Sequence, residues 1–186
     1  GSFRCDGAEV TRASMADGRE AKAFHRRVGF LFQDSDAMLF CPTVLDEIAF
    51  GPRRMGLPEG EAEERARDLM RLLGIEGLAA RAPYLLSGGE KRKVALAAVL
   101  SLNPEVVFLD EPTASLDPKS KRLFREILKS LNAAGKTLVC ATHDFDYVDG
   151  LFSRAVVFSE GHSIVRDGPY SEVAADRRFL EEANIV

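Results

Sequence analysis

Leu86 to Asp117 reads LSGGEKRKVALAAVLSLNPEVVFLDEPTASLD, and it lays out three pieces of phosphate chemistry in a fixed order. Leu85-Leu86-Ser87-Gly88-Gly89-Glu90 stops the chain at a capping residue and two glycines. It then opens a helix whose apolar positions are Val94, Leu96, Ala97, Ala98, Val99 and Leu102. Bare glycine backbone lets a phosphate approach closely, and a helix start presents unpaired N–H groups at the positive end of its dipole. Asn103-Pro104 breaks that helix. Val106-Val107-Phe108-Leu109 is then a continuous apolar run ending in Asp110-Glu111, the pattern of a parallel strand buried on both faces. Open α/β sheets bind ligands at the C-terminal ends of their strands, and carboxylates there suit Mg²⁺ and an activated water.

The surrounding sequence repeats the strand and helix alternation. Val28 to Phe32 is an apolar strand that delivers Gln33, and Arg19 to Arg27 before it reads as a short polar, basic helix. Asp34 to Leu57 is punctuated by Pro42, Gly51, Pro52 and Gly56 around an apolar segment, Val44 to Phe50, with one or two helical turns expected. Glu59 to Leu73 is an amphipathic helix with acidic residues in its first turns and Gly74 to stop it. Lys119 to Ala134 is another, with Leu123, Phe124, Ile127, Leu128 and Leu131 inward and Gly135 after it. Thr137 to Ala141 then forms a strand, and in a parallel sheet His143 beyond it emerges at the same edge as Glu111. Ala155 to Phe158, a turn at Glu160-Gly161-His162 and Ser163 to Val165 predict a final hairpin, with Gly168-Pro169 leading to a short C-terminal helix. At the other end, Phe3 and Cys5 predict a short strand before an Asp6-Gly7 turn. His25 and His162 read as surface or structural residues.

The stretch resembles the nucleotide-binding ATPase of the ATP-binding-cassette (ABC) superfamily. The resemblance implies that Ser87-Gly88-Gly89-Glu90 is the signature motif, that Val106 to Glu111 is the Walker B strand and that Ser115-Leu116-Asp117 is the D-loop. Gln33 is similar to the Q-loop glutamine and His143 to the switch histidine. The fold so implied is α/β, a RecA-like P-loop NTPase core over 1–34 and 103–186 with a small α-helical signature subdomain over 35–102. ATP and Mg²⁺ are the implied cofactors. Asp110 and Gln33 would serve the metal, Glu111 would activate the attacking water, and Ser87, Gly88, Gly89, Glu90 and Asp117 would serve the nucleotide of a second cassette paired head to tail, in a homo- or heterodimer. Proline, threonine and valine followed by DEIAFGP, Pro42 to Pro52, are similar to the ATPases of energy-coupling-factor and cobalt or nickel importers. There the corresponding surface receives a helix of a membrane-embedded coupling protein, which implies metal-ion or vitamin uptake and a peripheral place on the cytoplasmic face of the membrane.

Composition sets the limits of this reading. The chain has 186 residues, 46% hydrophobic and 29% charged, with a net charge of −4, ordinary for one globular domain. No basic field invites nucleic acid. Cys5, Cys41 and Cys140 are widely spaced without a CxxC, which suggests neither a disulfide framework nor a zinc site. The short separation of Gln33 from Ser87 leaves no room for the coiled coil of chromosome-structuring ABC proteins. Two other classes stay open: a soluble ABC ATPase acting on nucleic acid, and a non-hydrolysing interaction module. The second is permitted because G-x-x-x-x-G-K-[ST], the loop that wraps a triphosphate, does not occur in the 186 residues. The P-loop strand and helix are therefore expected to lie outside this chain, through truncation or by nature. The chain alone is expected not to turn over ATP.

Overall fold

The computed structural model describes residues 2–5 and 7–185, and Asp146 through its backbone. The elements follow in the order β1 (Phe3–Cys5), β2 (Ala8–Val10), α1 (Arg12–Ala16), α2 (Gly18–Arg27), β3 (Val28–Leu31), α3 (Val44–Arg54), α4 (Glu59–Leu73), α5 (Gly88–Leu100), β4 (Val106–Asp110), α6 (Pro118–Ala133), β5 (Thr137–Ala141), α7 (Phe145–Val148), β6 (Arg154–Phe158), β7 (Ile164–Pro169), α8 (Tyr170–Ala175) and α9 (Arg177–Glu182). The architecture is mixed α/β, built on a parallel sheet.

That sheet runs β3-β4-β5. Val28 to Leu31 pair with Val106 to Leu109, and Val106 to Asp110 pair with Thr137 to Ala141. Because all three strands run the same way, the residues after each emerge along one edge. Leu31, Val107 and Leu109 point into a core that continues through Phe124, Ile127 and Leu128 of α6 and Val94, Ala95, Leu96 and Ala97 of α5. Gly29 lets strand and helix touch there: a methyl at that position would lie 2.6 Å from Val99 Cγ1, closer than packed atoms can sit.

Helices α3, α4 and α5 share the same core. In α4 the buried residues are Ala62, Ala66, Met70 and Leu73, the i, i+4 stripe of an amphipathic helix. Glu59 and Glu61 lie in its first turn, and Gly74 closes it at φ 63°, a left-handed conformation natural to glycine. Helix α5 is buried nearly all round, which places it between the other helices and the sheet. Helix α3 is longer than the expected one or two turns. Pro52 lies within it, tolerated because its φ is already helical, at the loss of one backbone donor.

The sequence pattern of β4 suggests burial on both faces, and the structure corrects this. Its second face belongs to a row of registered side chains, Phe30, Phe108 and Val139. Phe30 is 41% and Val139 44% exposed. The rings of Phe30 and Phe108 stack at 5.8 Å, yet the row stays partly exposed. Strand β5 pairs with β4 alone and β6 with β7 alone among the described residues. Open backbone edges therefore flank the place where the sheet stops.

The C-terminal hairpin forms, but β7 extends to Pro169, which pairs opposite Arg154. Proline fits there because a terminal position needs no ladder N–H. Two short helices follow in place of one, and Val157, Val173 and Leu180 make a small separate cluster. At the N-terminus, β1 and β2 pair as a hairpin; the expected turn includes Asp6, which lies outside the described residues, as does Gly1. Helix α2 matches the basic segment, capped by the Asp17 carboxylate on the amides of Arg19 and Glu20. Helix α1 before it was not expected from the sequence.

Candidate functional site

Glu111 is the first residue past β4 and has φ 42°. A non-glycine residue in that region is uncommon and carries strain that its surroundings must hold. Here the Glu111 amide donates to the Ala141 carbonyl at 2.9 Å, which extends the ladder by one bond. The carboxylate turns towards the end of β5. Its Oε2 accepts from Thr142 Oγ1 at 3.0 Å, and its Oε1 accepts from the His143 amide at 3.1 Å and meets His143 Nδ1 at 2.9 Å. The Glu111 side chain is 18% exposed and that of His143 83%. An acid is thus held from one side by three groups, with an open imidazole beside it. That is the geometry of a group that can take a proton from a water and pass charge to a neighbour.

Thr142 is fixed in turn, since its hydroxyl oxygen accepts from the Asp144 amide at 3.1 Å. Asp144 is held by Lys121 Nζ at 2.8 Å and by Thr113. The Lys121 bond keeps the Asp144 carboxyl below its ordinary range. Asp110 lies one residue earlier and is half-buried. No group of three His, Cys, Asp or Glu among the described residues could by itself hold a metal. A divalent cation here would therefore need other oxygen donors beside Asp110, which suits Mg²⁺, an ion that keeps several waters and binds substrate phosphates.

The second part of the site is the start of α5. Ser87 is its N-cap and forms a reciprocal capping box with Glu90. The hydroxyl accepts from the Glu90 amide at 3.4 Å and donates to Glu90 Oε2 at 2.7 Å, while the Ser87 amide donates to that same oxygen at 2.8 Å. These bonds from Ser87 keep the Glu90 carboxyl below the usual range. Gly88 and Gly89 face the loop at Ser115. A methyl at either would meet Ser115 at 3.5 Å, an ordinary contact. Nothing inside the molecule therefore demands glycine at these positions, whereas a ligand approaching the α5 amides would.

Asp117 has structural employment. Its carboxylate caps α6, accepting from the amides of Lys119 and Ser120 at 2.9 and 3.0 Å and from Ser120 Oγ at 2.6 Å. Those bonds push its pKa down to about 2, with the Ser120 hydroxyl contributing most. Gln33 has an exposed side chain just after β3, and its carbonyl accepts from Arg92 Nη1 at 3.0 Å.

Two residues whose role is not legible in the sequence are brought into this site by the structure. Thr142 lies between the strand Thr137 to Ala141 and His143, with no polar partner in the sequence to reveal it. Arg92 is the middle of Lys91-Arg92-Lys93, which reads as a solvated basic triplet. The structure leaves Arg92 2% exposed. The available signal was the helical period: Arg92 falls with Val99 and Leu96 on the face of α5 turned to the sheet.

The model of the family described as ABC transporter matches residues 1–114. A putative ABC transporter ATP-binding protein of Clostridium acetobutylicum is 53% identical over 186 residues, all of this chain and 77% of that protein. A nickel import ATP-binding protein of Rhodobacter capsulatus is 41% identical over all of the chain and 74% of the relative. An energy-coupling factor transporter ATP-binding protein of Methanosphaera stadtmanae is 37% identical over all of the chain and 65% of its own length. Among solved structures, CbiO1 of Clostridium perfringens, described as part of the ABC transporter complex CbiONQ, superposes with a TM-score of 0.75 at 32% identity. That match covers 98% of this chain and 71% of the other. A dimeric ATP-binding cassette in a post-hydrolysis state bound to ADP and Pi gives a TM-score of 0.81 at 26% identity, over 91% and 73% of the two chains.

Proposed function

The chain belongs to the ABC transporter family of ATPases, and from that premise we propose that it is the ATP-binding and hydrolysing subunit of a membrane importer for a metal ion or a vitamin. The observation that carries the hydrolytic part is the Glu111 carboxylate held by Thr142 and His143 at the strand-end edge. Nickel import and energy-coupling-factor transport, named for relatives spanning the whole of this chain, support the importer type.

Phosphoryl transfer leaves little covalent work to a protein, which acts by positioning and electrostatics. The residues present fit part of that task. Asp110, an oxygen donor at the end of β4, would hold Mg²⁺, which when bound neutralises developing phosphate charge. Glu111 orients the attacking water and takes its proton. His143, open to solvent beside Glu111, reaches towards the γ-phosphate side and keeps water and phosphate in line. Gln33 senses that arrangement from a loop at the same edge. The Ser87 hydroxyl and the amides beyond Gly88 and Gly89 cap a triphosphate held by a second cassette, so hydrolysis requires a head-to-tail dimer. The solved relative bound to ADP and Pi is itself dimeric. The phosphate-wrapping loop is not among these 186 residues, so this chain supplies one half of the nucleotide's surroundings.

No helix among the described residues is long and apolar enough to cross a membrane. We assign docking of a membrane-embedded partner's helix to the surface around α3, on its likeness to importer ATPases, with the chain peripheral on the cytoplasmic face. The core over 1–34 and 103–186 and the helical part over 35–102 are the units whose relative motion would transmit dimer closure to that surface.

The test is Glu111→Gln in an assembly that hydrolyses ATP through this cassette. ATP binding should persist while hydrolysis falls by at least a hundredfold, within the range for losing a general base. Turnover within threefold of the parent would place the base elsewhere.

A further inference from the structure

The guanidinium of Arg92 is buried one turn inside α5 and donates to two separate chain segments, 32–35 and 110–112. Nη1 donates to the carbonyls of Phe32 and Gln33, the latter at 3.0 Å, and to Ser35 Oγ at 3.3 Å. Nη2 donates to the carbonyl of Asp110 at 2.7 Å and to that of Glu111, and Nε donates to Pro112 at 3.2 Å. A guanidinium has five N–H donors in a rigid plane. Each nitrogen here faces at least one acceptor, and five of the six acceptors are main-chain carbonyls at strand ends, where the ladder no longer uses them. We infer that Arg92 is a positioning residue that locks the loop of Gln33, the carboxylate end of β4 and the helix begun by Ser87 into one unit.

Two further features support a junction with mechanical sense. Lys91, the neighbouring residue of α5, pairs through Nζ with Asp36 Oδ1 at 2.5 Å, a second tie from the same helix to the same loop. Glu111 holds its left-handed conformation with its amide on Ala141 and its carbonyl on Arg92, so the direction of its carboxylate depends on where the guanidinium stands. Any rotation of α5 against the sheet is therefore delivered to Gln33 and Glu111 at once. Lysine cannot replace this geometry, because an ammonium is a point donor with three protons and no plane. The consequence for catalysis rests on the roles proposed above for Gln33 and Glu111. The junction itself engages only main-chain atoms of those two residues.

The test is amide exchange by NMR on the 186-residue chain and its Arg92→Lys variant, both carrying Val139→Lys to suppress association through the edge of β5. The reporters are the amides of Met38 and Glu111, bonded to Ser35 and Ala141, with Ser101 and Thr137, bonded to Ala97 and Glu105, as references. Arg92→Lys should speed exchange at Met38 and Glu111 together by at least tenfold and leave both references within twofold. Acceleration of one reporter alone, of neither, or of all four alike would overturn the inference; the last would reduce Arg92 to a general stabiliser. Should the variant fail to fold, the parent chain decides. The Nη protons of Arg92 should give resolved, slowly rotating resonances at 25 °C, and a single averaged signal would overturn the proposal. None of these readings involves ATP hydrolysis, so failure of the proposed hydrolytic role and failure of the junction are distinguishable.

Discussion

Gly88 separates what folding needs from what a ligand needs. A methyl there meets Ser115 at an ordinary 3.5 Å, so Gly88→Ala should keep unfolding free energy within about 0.5 kcal/mol, the usual range for a surface change. The same methyl would stand over the α5 amides. ATP-driven pairing with a second cassette, followed by size-exclusion chromatography, should weaken by more than tenfold; unchanged pairing would remove the in-trans role of this turn. Asp117 offers a pH test. Its folded pKa is depressed to about 2 by Ser120 and Lys119, below the ~3.9 of an unfolded aspartate. Depression means that the charged cap stabilises the fold above about pH 4 and that this contribution fades as pH falls towards 2. The parent should therefore exceed Asp117→Ala in urea midpoint at pH 6, with the gap closing between pH 4 and 2; a gap independent of pH would show that the charge does not matter.

At the scale of elements, α3 divides its apolar residues between two tasks. Val44, Ile48 and Ala49 are fully buried and Leu45 packs on the same core. Phe50, 40% exposed, instead meets Phe40, 68% exposed, edge to face at 4.9 Å. The Glu47 carboxylate anchors the loop beneath them by accepting from the amides of Phe40 and Cys41 at 2.8 and 2.6 Å. Desolvation, with Glu47 next, pushes the Cys41 thiol up to about 11, so it is no nucleophile. An exposed aromatic pair is what the proposed docking of a membrane partner's helix would use. Phe50→Glu should cost about 0.5 to 1.5 kcal/mol of stability from the lost ring contact and abolish co-purification with the coupling protein. Retained co-purification would return Phe50 to a packing role.

For the whole molecule, the edge of β5 left unpaired among the described residues, beside the partly exposed row of Phe30, Phe108 and Val139, sets the expected solution behaviour. An open edge beside an exposed apolar face is a template for pairing with another chain. The 186-residue chain should self-associate at micromolar concentration in sedimentation velocity. Val139→Lys should reduce that association at least fivefold with little change in thermal midpoint, since Val139 is already 44% exposed. A parent that sediments as a monomer at those concentrations would show that the edge is protected in solution.

Periodicity and punctuation in the sequence were enough to establish the α/β alternation, the amphipathic helices α4 and α6, and the delivery of Gln33, Glu111 and His143 to one sheet edge. Those properties depend on local spacing and on parallel strands all pointing one way, both of which are written along the chain. Tertiary structure alone decided that β4 is covered on one face, because coverage depends on which distant helix arrives. It decided that Asp117 spends its carboxylate on a helix cap and that Ile48 and Phe50, two residues apart, face core and solvent. It also decided that Arg92, one basic residue among three, is buried against carbonyls 59 and 60 positions before it and 18 to 20 after it. Backbone carbonyls leave no trace in a sequence, and a side chain that binds them cannot be told from a solvated one until the strands that carry them are in place.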